Sequence, residues 1–316
     1  MSDNIFDTIV VGGGPAGLSA ALYAARQRLR TLLITKDVGG QMTLAQKIEN
    51  YPGAPFISGI ELAQTMLEQA QEFGAEVLYD EVTRVGEADE LFQVHTRGSG
   101  AYLSQTLILA FGKTPREIGV PGEQRLTGRG VSYCAICDAP LYRGKHVLIV
   151  GWGEPAFEAA DLLCRYQNKV YIVHRGKAEQ PEELREKCEV EVIPQSEVAE
   201  IRGDVKVESV ILRNLSTGET RELKIDAVFV ELGYVAKTSW VKDFVKLNEQ
   251  GEIIVDSLCR TSKPGVYAAG DVTNIPYKQA VIAAAQGTIA ALEAYNYIQQ
   301  KKGKPTIKSD WRELQK

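Results

Sequence analysis

The 316-residue sequence predicts an α/β fold made of two Rossmann-like nucleotide-binding domains. Two observations carry this expectation. A strand, a glycine loop, an Ala-rich helix and a β-branched second strand follow one another twice, at residues 7–35 and 145–175. The C-terminal part then returns to the first pattern: "GVYAAGDVTN" reads as a strand ending in Gly-Asp, and "YKQAVIAAAQGTIAALEAYNYIQQ" as a long helix. The first domain is therefore expected to be discontinuous, at 1–114 and 245–316, with the second inserted at 115–244. Glycine and proline in "GKTPREIGVPGE" and Gly233 near the return mark the expected hinges.

Composition narrows the function classes. A 44% hydrophobic, 24% charged chain is ordinary for a globular protein, and its net charge of −5 argues against nucleic-acid or anionic-membrane binding. No apolar run is long enough to cross a membrane. "MSDNIFDTIVVGGG" enters a strand without a basic leader, so the cytoplasm is the expected compartment. Five cysteines are an odd count for a disulfide scaffold. Cys164 and Cys188 read as helix or core residues and Cys259 as a strand residue, since none has a neighbour at redox spacing.

Gly12, Gly14 and Gly17 form an intact Gly-x-Gly-x-x-Gly between the first strand and its helix. The first permits a tight turn, the second lets backbone approach a pyrophosphate, and the third allows close helix–strand packing. The helix from about Pro15 and Ala16 turns its free N–H groups toward the phosphates. A glycine turn without a ligand is the alternative. One element of the pattern is missing: Thr35 and Lys36 stand where an acid would hold the ribose hydroxyls.

"SYCAICDAP" places Cys134 and Cys137 in Cys-x-x-Cys, followed by Asp138. One thiolate can attack a disulfide and the second can resolve the mixed intermediate. Half of a zinc site is the alternative, but no second Cys-x-x-Cys or close His pair completes four ligands, so no metal is expected. By itself Asp138 reads as a helix cap or a solvated acid.

"VVGGGPAGLSAALYAAR", "GGQMTLAQKIENYPG", "CAICDAP", "VYIVHR" and "GVYAAGDV", in this order, resemble the low-molecular-weight thioredoxin reductase family over almost the whole chain. The resemblance implies FAD at the first glycine loop, a homodimer, and a thioredoxin-like protein as substrate. It implies that Gly39, Gly40 and Gln41 line the flavin, with Asn50 near it. Asp271 would bind the ribityl or pyrophosphate region, and Lys278, Gln279 and Ala280 the pyrimidine end of the ring. Gly112 and Gly270 join this cofactor-binding set. Cys137 would face the flavin, Cys134 would attack the protein substrate, and Asp138 would move the proton.

The family's reductant, NADPH, would bind the inserted domain, and here the chain departs from the pattern. Gly151, Gly153 and Ala156 keep the fingerprint, but Trp152 adds bulk in the turn unless its ring points outward. Pro155 removes a backbone donor, a loss without consequence at the first helical position. Glu154 competes with a phosphate for the helix field. The family carries His-Arg-Arg and a further Arg four residues later. This chain has His174, Arg175, Gly176, Lys177 and then Gln180. Each charge-assisted bond is worth roughly 1.5–3 kcal/mol, so two lost arginines cost orders of magnitude in affinity. Ala236 and Lys237 also replace the family's Pro-Asn. Efficient use of NADPH is therefore not expected, and the chain resembles a nicotinamide-independent, ferredoxin-linked branch.

"KKGKPTIKSDWRELQK" closes the sequence. It reads either as a frayed basic tail or as a functional one, with Trp311 stacking on a flavin and Lys301, Lys302, Lys304 and Lys308 steering an acidic ferredoxin. Two other readings stand beside the main one. The first is a conventional NADPH-thioredoxin reductase with altered nucleotide specificity. The second, of a different class, is a flavin-binding redox sensor without turnover.

Overall fold

A computed structural model describes residues 5–45, 47–177 and 190–307. Two compact units divide the chain: residues 1–43, 51–114 and 236–316 form the first, and residues 44–50 and 115–235 the second.

The first unit opens with strand β1 (Ile5–Gly13), helix α1 (Pro15–Arg26) and strand β2 (Thr31–Val38). Helix α2 (Gly59–Glu72) leads to strands β3 (Glu76–Tyr79), β4 (Val82–Ala88), β5 (Leu91–Thr96) and β6 (Ala101–Leu109). The sheet order is β3-β2-β1-β6-β5-β4. Strands β3, β2, β1 and β6 are parallel, while β5 and β4 form an antiparallel hairpin. A late strand, Val266–Ala268, pairs in parallel with the end of β6, at Leu107–Leu109. Central strands buried on both faces are near-continuous apolar runs, and "TIVV" and "TLLI" are of this kind: Ile9, Val10, Leu33 and Ile34 are essentially without solvent.

Residues 236–244 belong to this unit, so the chain returns to it earlier than the expected residue 245. The reason is packing. Val241 and Val245 are buried against Phe6, Leu107 and Val266, and Ala236, Trp240 and Phe244 lie on the same cluster.

In the second unit, short helix α3 (Glu123–Leu126), strand β7 (Val131–Ser132) and short helix α4 (Ala135–Asp138) precede strand β8 (His146–Gly151). Helix α5 (Glu154–Arg165), strand β9 (Lys169–Val173) and strand β10 (Val190–Ile193) follow. An antiparallel sheet of β11 (Ser196–Arg202), β12 (Ser209–Asn214) and β13 (Thr220–Lys224) leads to β14 (Ala227–Glu231). The parallel sheet has the order β10-β9-β8-β14-β7. After these come the late strand of the first unit, β15 (Val266–Ala268), and the long helix α6 (Ala280–Lys301).

Two glycines decide how closely the helices of the first unit approach. A Cβ at Gly17 would stand 1.7 Å from the Gly12 carbonyl oxygen, and one at Gly287 would stand 1.9 Å from that of Ala16. Gly287 therefore lets α6 lie backbone to backbone on the start of α1. Gly287→Ala is expected to destabilise the protein by about 1–3 kcal/mol through overpacking. Gly86→Ala is the control, since a Cβ there meets nothing within 4 Å. Chemical denaturation of the two variants checks this, and equal midpoints would refute the close approach.

Candidate active site

The first glycine loop has the geometry of a phosphate cradle. Gly12 has φ +108°, and its Cβ position is filled by Ala110 backbone. Gly14, the N-cap of α1, is different. Its backbone is extended (φ −75°, ψ −178°), and a Cβ there would meet nothing within 4 Å. Neither conformation nor packing requires glycine at this position, so the bare backbone serves close approach by a ligand. Pro15 begins α1, whose first turn holds no acid and whose N-cap makes no side-chain bond. By contrast α2, away from this loop, is closed by a Ser58–Glu61 capping box.

Residues from separate parts of the first unit converge here. Gly39 donates its N–H to the Gly13 carbonyl at 2.7 Å, and Gly40 adjoins Gly14. Gln41 donates from Nε2 to the Lys113 carbonyl at 2.7 Å, beside Gly112 (φ +65°). Gly270, at the end of β15, donates its N–H to Gln286 Oε1 at 3.0 Å, and a Cβ there would press on Ala16. The following carboxylate, Asp271, takes no hydrogen bond from any described residue. Burial raises its pKa, while Lys278 and Lys113 pull it down. The N-terminus of α6 at Gln279 and Ala280 makes no side-chain cap either. Thr35 and Lys36 do other work: Thr35 bonds the Asp37 carbonyl, and Lys36 pairs with Glu81 at 2.7 Å. Asn50 groups with the second unit, in the segment 44–50. Trp311 and Lys308 lie outside the described residues.

In the second unit Cys134 and Cys137 form a disulfide, with Cα atoms 5.3 Å apart. Cys134 is the N-cap of α4, and its carbonyl accepts the N–H groups of Cys137 and Asp138 at 3.1 Å each. Ser132 Oγ takes the Cys134 N–H at 3.1 Å. Burial raises the pKa of Asp138, and a bond from Ser132 partly offsets this. Its side chain caps no helix. The preceding residue, Tyr133, donates its hydroxyl to buried Glu123 at 2.9 Å, and its carbonyl accepts from the Tyr234 hydroxyl. Glu123 also accepts the N–H groups of Ile118 and Gly119.

Of the remaining cysteines, Cys164 lies in helix α5 as expected, and Cys259 departs from its expected strand. Cys164 is itself disulfide-bonded, because tertiary proximity and not sequence spacing sets such a bond; Cys188 lies outside the described residues. Cys259 sits in a turn with φ +60°, not a strand, and bonds the Gln286 carbonyl.

The second glycine loop is built differently. Gly153 has φ +90°, so backbone conformation alone explains its glycine. Trp152 does not point outward: its indole stacks on His174, with ring centroids 3.8 Å apart, and meets Phe157 edge-on. Pro155 occupies the second helical position of α5, not the first, because Glu154 begins the helix. Arg175 pairs with Glu197 at 3.0 Å, and Glu197 also accepts from Arg213. Gln180 lies outside the described residues.

Sequence reading missed Glu231. It ends β14 against Gly151, and its carboxylate accepts the Ala135 N–H at the start of the Cys-x-x-Cys helix. Burial pushes its pKa up to about 7; the Ala135 bond opposes this and the charge of Glu158 adds to it. Its only signal in the sequence was a charged residue at the end of the buried strand "AVFVE".

Comparison with known proteins agrees with this geometry. The family model described as pyridine nucleotide-disulphide oxidoreductase matches residues 6–287. The thioredoxin reductase of Treponema pallidum is 44% identical over 300 residues, 93% of this chain and 97% of that protein. That of Peptoclostridium acidaminophilum is 39% identical over 310 residues, 94% of this chain and 98% of its own. The crystal structure of thioredoxin reductase from Streptococcus pyogenes superposes with a TM-score of 0.89 at 38% identity, covering 95% of this chain and 100% of that one. The chain belongs to the pyridine nucleotide-disulphide oxidoreductase family, with thioredoxin reductases as relatives over nearly its whole length.

Proposed function

We propose that this chain reduces a thioredoxin-like protein through Cys134 and Cys137, and that its electrons come from a donor other than NADPH, with a ferredoxin as the candidate. FAD is the cofactor the family implies, and the residues fit it. Gly14 is bare without internal cause, two helix N-termini are uncapped, and Asp271 has acceptor capacity to spare for ribityl hydroxyls. FAD, when bound, supplies the electron pair that reduces the disulfide, and flavins join one-electron donors to two-electron acceptors.

This chain's own residues do the rest. Reduction of the Cys134–Cys137 bond takes two electrons and two protons. Asp138, whose carboxyl burial shifts toward the protonated form, is the proton source next to Cys137 in the chain. Cys134 as thiolate then attacks the partner disulfide and forms a mixed disulfide. Cys137 displaces the partner's dithiol and the pair is oxidised again.

The observation that carries the donor reading is Arg175. It is the one arginine left where the 2′-phosphate would be clamped, and Glu197 stands 3.0 Å from it. The pair is exposed on its arginine side and weak in itself. An incoming phosphate nevertheless meets a carboxylate that Arg175 and Arg213 already share. Glu154 and Glu158 near the start of α5, and Glu231 opposite Gly151, add negative charge around the loop. The tryptophan stack covers His174. A second reading, a nicotinamide reductase of altered specificity, has one observation in its favour: around Gly153 the loop leaves open space, which suits a dinucleotide without the 2′-phosphate. Lys301 and Lys302 belong to the exposed basic end of α6, where an acidic ferredoxin would be steered; a cytoplasmic homodimer is the accompanying proposal.

Anaerobic titration of the flavoprotein distinguishes these readings. The flavin absorbance is expected to persist with NADPH and to bleach with reduced ferredoxin. Bleaching by stoichiometric NADPH overturns the donor reading, and bleaching by NADH alone selects the second.

Asp138→Asn is expected to slow thioredoxin reduction by roughly 10²–10⁴-fold. The rate's alkaline limb should vanish with it; an unchanged pH profile removes Asp138 from the proton transfer.

Glu231 makes stability depend on pH. Its folded pKa, about 7, lies above the unfolded value of roughly 4.3. The folded state therefore binds the extra proton, and stability falls as pH rises from about 4 to 7, then levels off. Glu231→Gln keeps the Ala135 bond without the charge. It is expected to stabilise the protein at pH 8, by roughly 4 kcal/mol at most, and not at pH 4.5. Thermal melts at both pH values check this.

A further inference from the structure

One buried charge cluster in the first unit joins Lys278 to two residues that the reading above gives no role toward the flavin. Lys113 Nζ lies 2.6 Å and Lys278 Nζ 3.0 Å from the same oxygen, Glu252 Oε1. All three side chains are largely buried, with 13%, 26% and 12% of their surface exposed. Asn248 Nδ2 donates to the other oxygen of Glu252 at 2.6 Å, while Asn248 Oδ1 accepts the Glu252 N–H. Burial opposes ionisation of Glu252, but its bonds from Lys113, Asn248 and Lys278 hold its pKa below the usual value. Burial lowers the Lys278 pKa, and Glu252 partly restores it. Two ammonium groups thus share one carboxylate, and the Asp271 carboxyl also interacts with both.

The cluster stands among the residues that converge on the first glycine loop. The carbonyl of Lys113 holds Gln41. Lys278 directly precedes the uncapped N-terminus of α6. Seven residues along α6 from Ala280, Gly287 touches Ala16 at the phosphate end of α1. Those seven residues span ~10 Å. A ligand with its pyrophosphate on α1 and its ribityl chain running along this line brings its ring to Lys278. Lys278 commits two of its three N–H groups, to Glu252 and to the Thr273 carbonyl at 2.5 Å. The third is left for a ring acceptor.

We propose that Lys113, Glu252 and Lys278 set the reduction potential of the bound flavin. The two lysines stabilise the negative charge that the ring gains on reduction, and Glu252 positions them and tempers their field. The proposal rests on the FAD reading of this site.

The test is the potential of the purified flavoprotein, read by equilibrium with a redox dye. Lys278→Met is expected to lower it by at least a tenfold change in the dye equilibrium, about 30 mV for a two-electron couple. Lys113→Met should lower it by less, and Lys278→Arg should restore it. Glu252→Gln keeps an acceptor for both lysines and removes the negative charge, so it is expected to raise the potential. Opposite shifts from two ends of one ion pair are not produced by general damage to the site. Unmoved potentials, or a fall in every variant including Glu252→Gln, overturn the proposal. Should Lys278→Met release its flavin, Lys113→Met and Glu252→Gln carry the same opposite signs. Flavin released on denaturing the unsubstituted protein is measured first. Absence of FAD there overturns the cofactor reading itself, an outcome distinct from a flavoprotein whose potential does not respond.

Discussion

The contact on which the first unit depends is backbone against backbone. Helix α6 lies on the start of α1 with no side chain between Gly287 and the Ala16 carbonyl, and α1 lies as closely on β1 through Gly17 and Gly12. Only glycine permits either approach. The consequence is positional. Gly270, Asp271 and the N-terminus of α6 lie more than two hundred residues along the chain from the Gly12–Gly17 loop, yet α6 is held to the start of α1 through main chain, while Gly270 is held by the Gln286 side chain. Main-chain contacts cannot relax by a rotamer change, so a cofactor bound across them meets a fixed set of donors. Preorganised donors cost no reordering when charge develops on the ligand.

Much of this was legible from residues 7–35, 145–175 and 265–300. The parallel strands declare themselves by β-branched runs, and the cysteine pair by its spacing. The return of the chain to the first unit was not legible to the residue. Residues 236–244 carry no glycine fingerprint, and only the burial of Val241 and Val245 in the first core assigns them. Trp152 was readable as bulk but not as direction, since its place depends on His174, more than twenty residues on. Glu231 and the partners of Lys278, Lys113 and Glu252, were invisible for a related reason. An isolated charged residue reads as surface, and only tertiary packing reveals that these are covered.

The redox pair is held from its N-terminal side. Tyr133, next to Cys134, is fixed at its hydroxyl by Glu123 and at its carbonyl by Tyr234, and Ser132 holds the Cys134 N–H. The pair itself lies in a helix of one turn, which could not hold its shape alone. Glu123 is almost wholly buried, yet its carboxylate accepts two N–H groups and a hydroxyl. A buried carboxylate satisfied in this way fixes the direction of the chain that enters Cys134. The acidic side chains near the pair differ in their partners: Glu123 holds Tyr133, Asp138 interacts with Ser132, and Glu231 touches the helix from the sheet.

The two glycine loops share a fold and differ in what their glycines are for. At Gly14 neither backbone angle nor packing demands glycine, so the position is kept bare for something outside the protein. At Gly153 a left-handed backbone demands it whatever the ligand. Around the first loop the helix N-termini carry no acids and two lysines stand by. Around the second, Glu154 begins the helix and Glu197 engages Arg175. A helix dipole attracts an anion only while no carboxylate already occupies its field. The same βαβ scaffold therefore supports two different electrostatic situations. The first is open to a phosphate-bearing cofactor. The second keeps the βαβ fold, with Glu154 at the start of its helix and Arg175 already paired with Glu197.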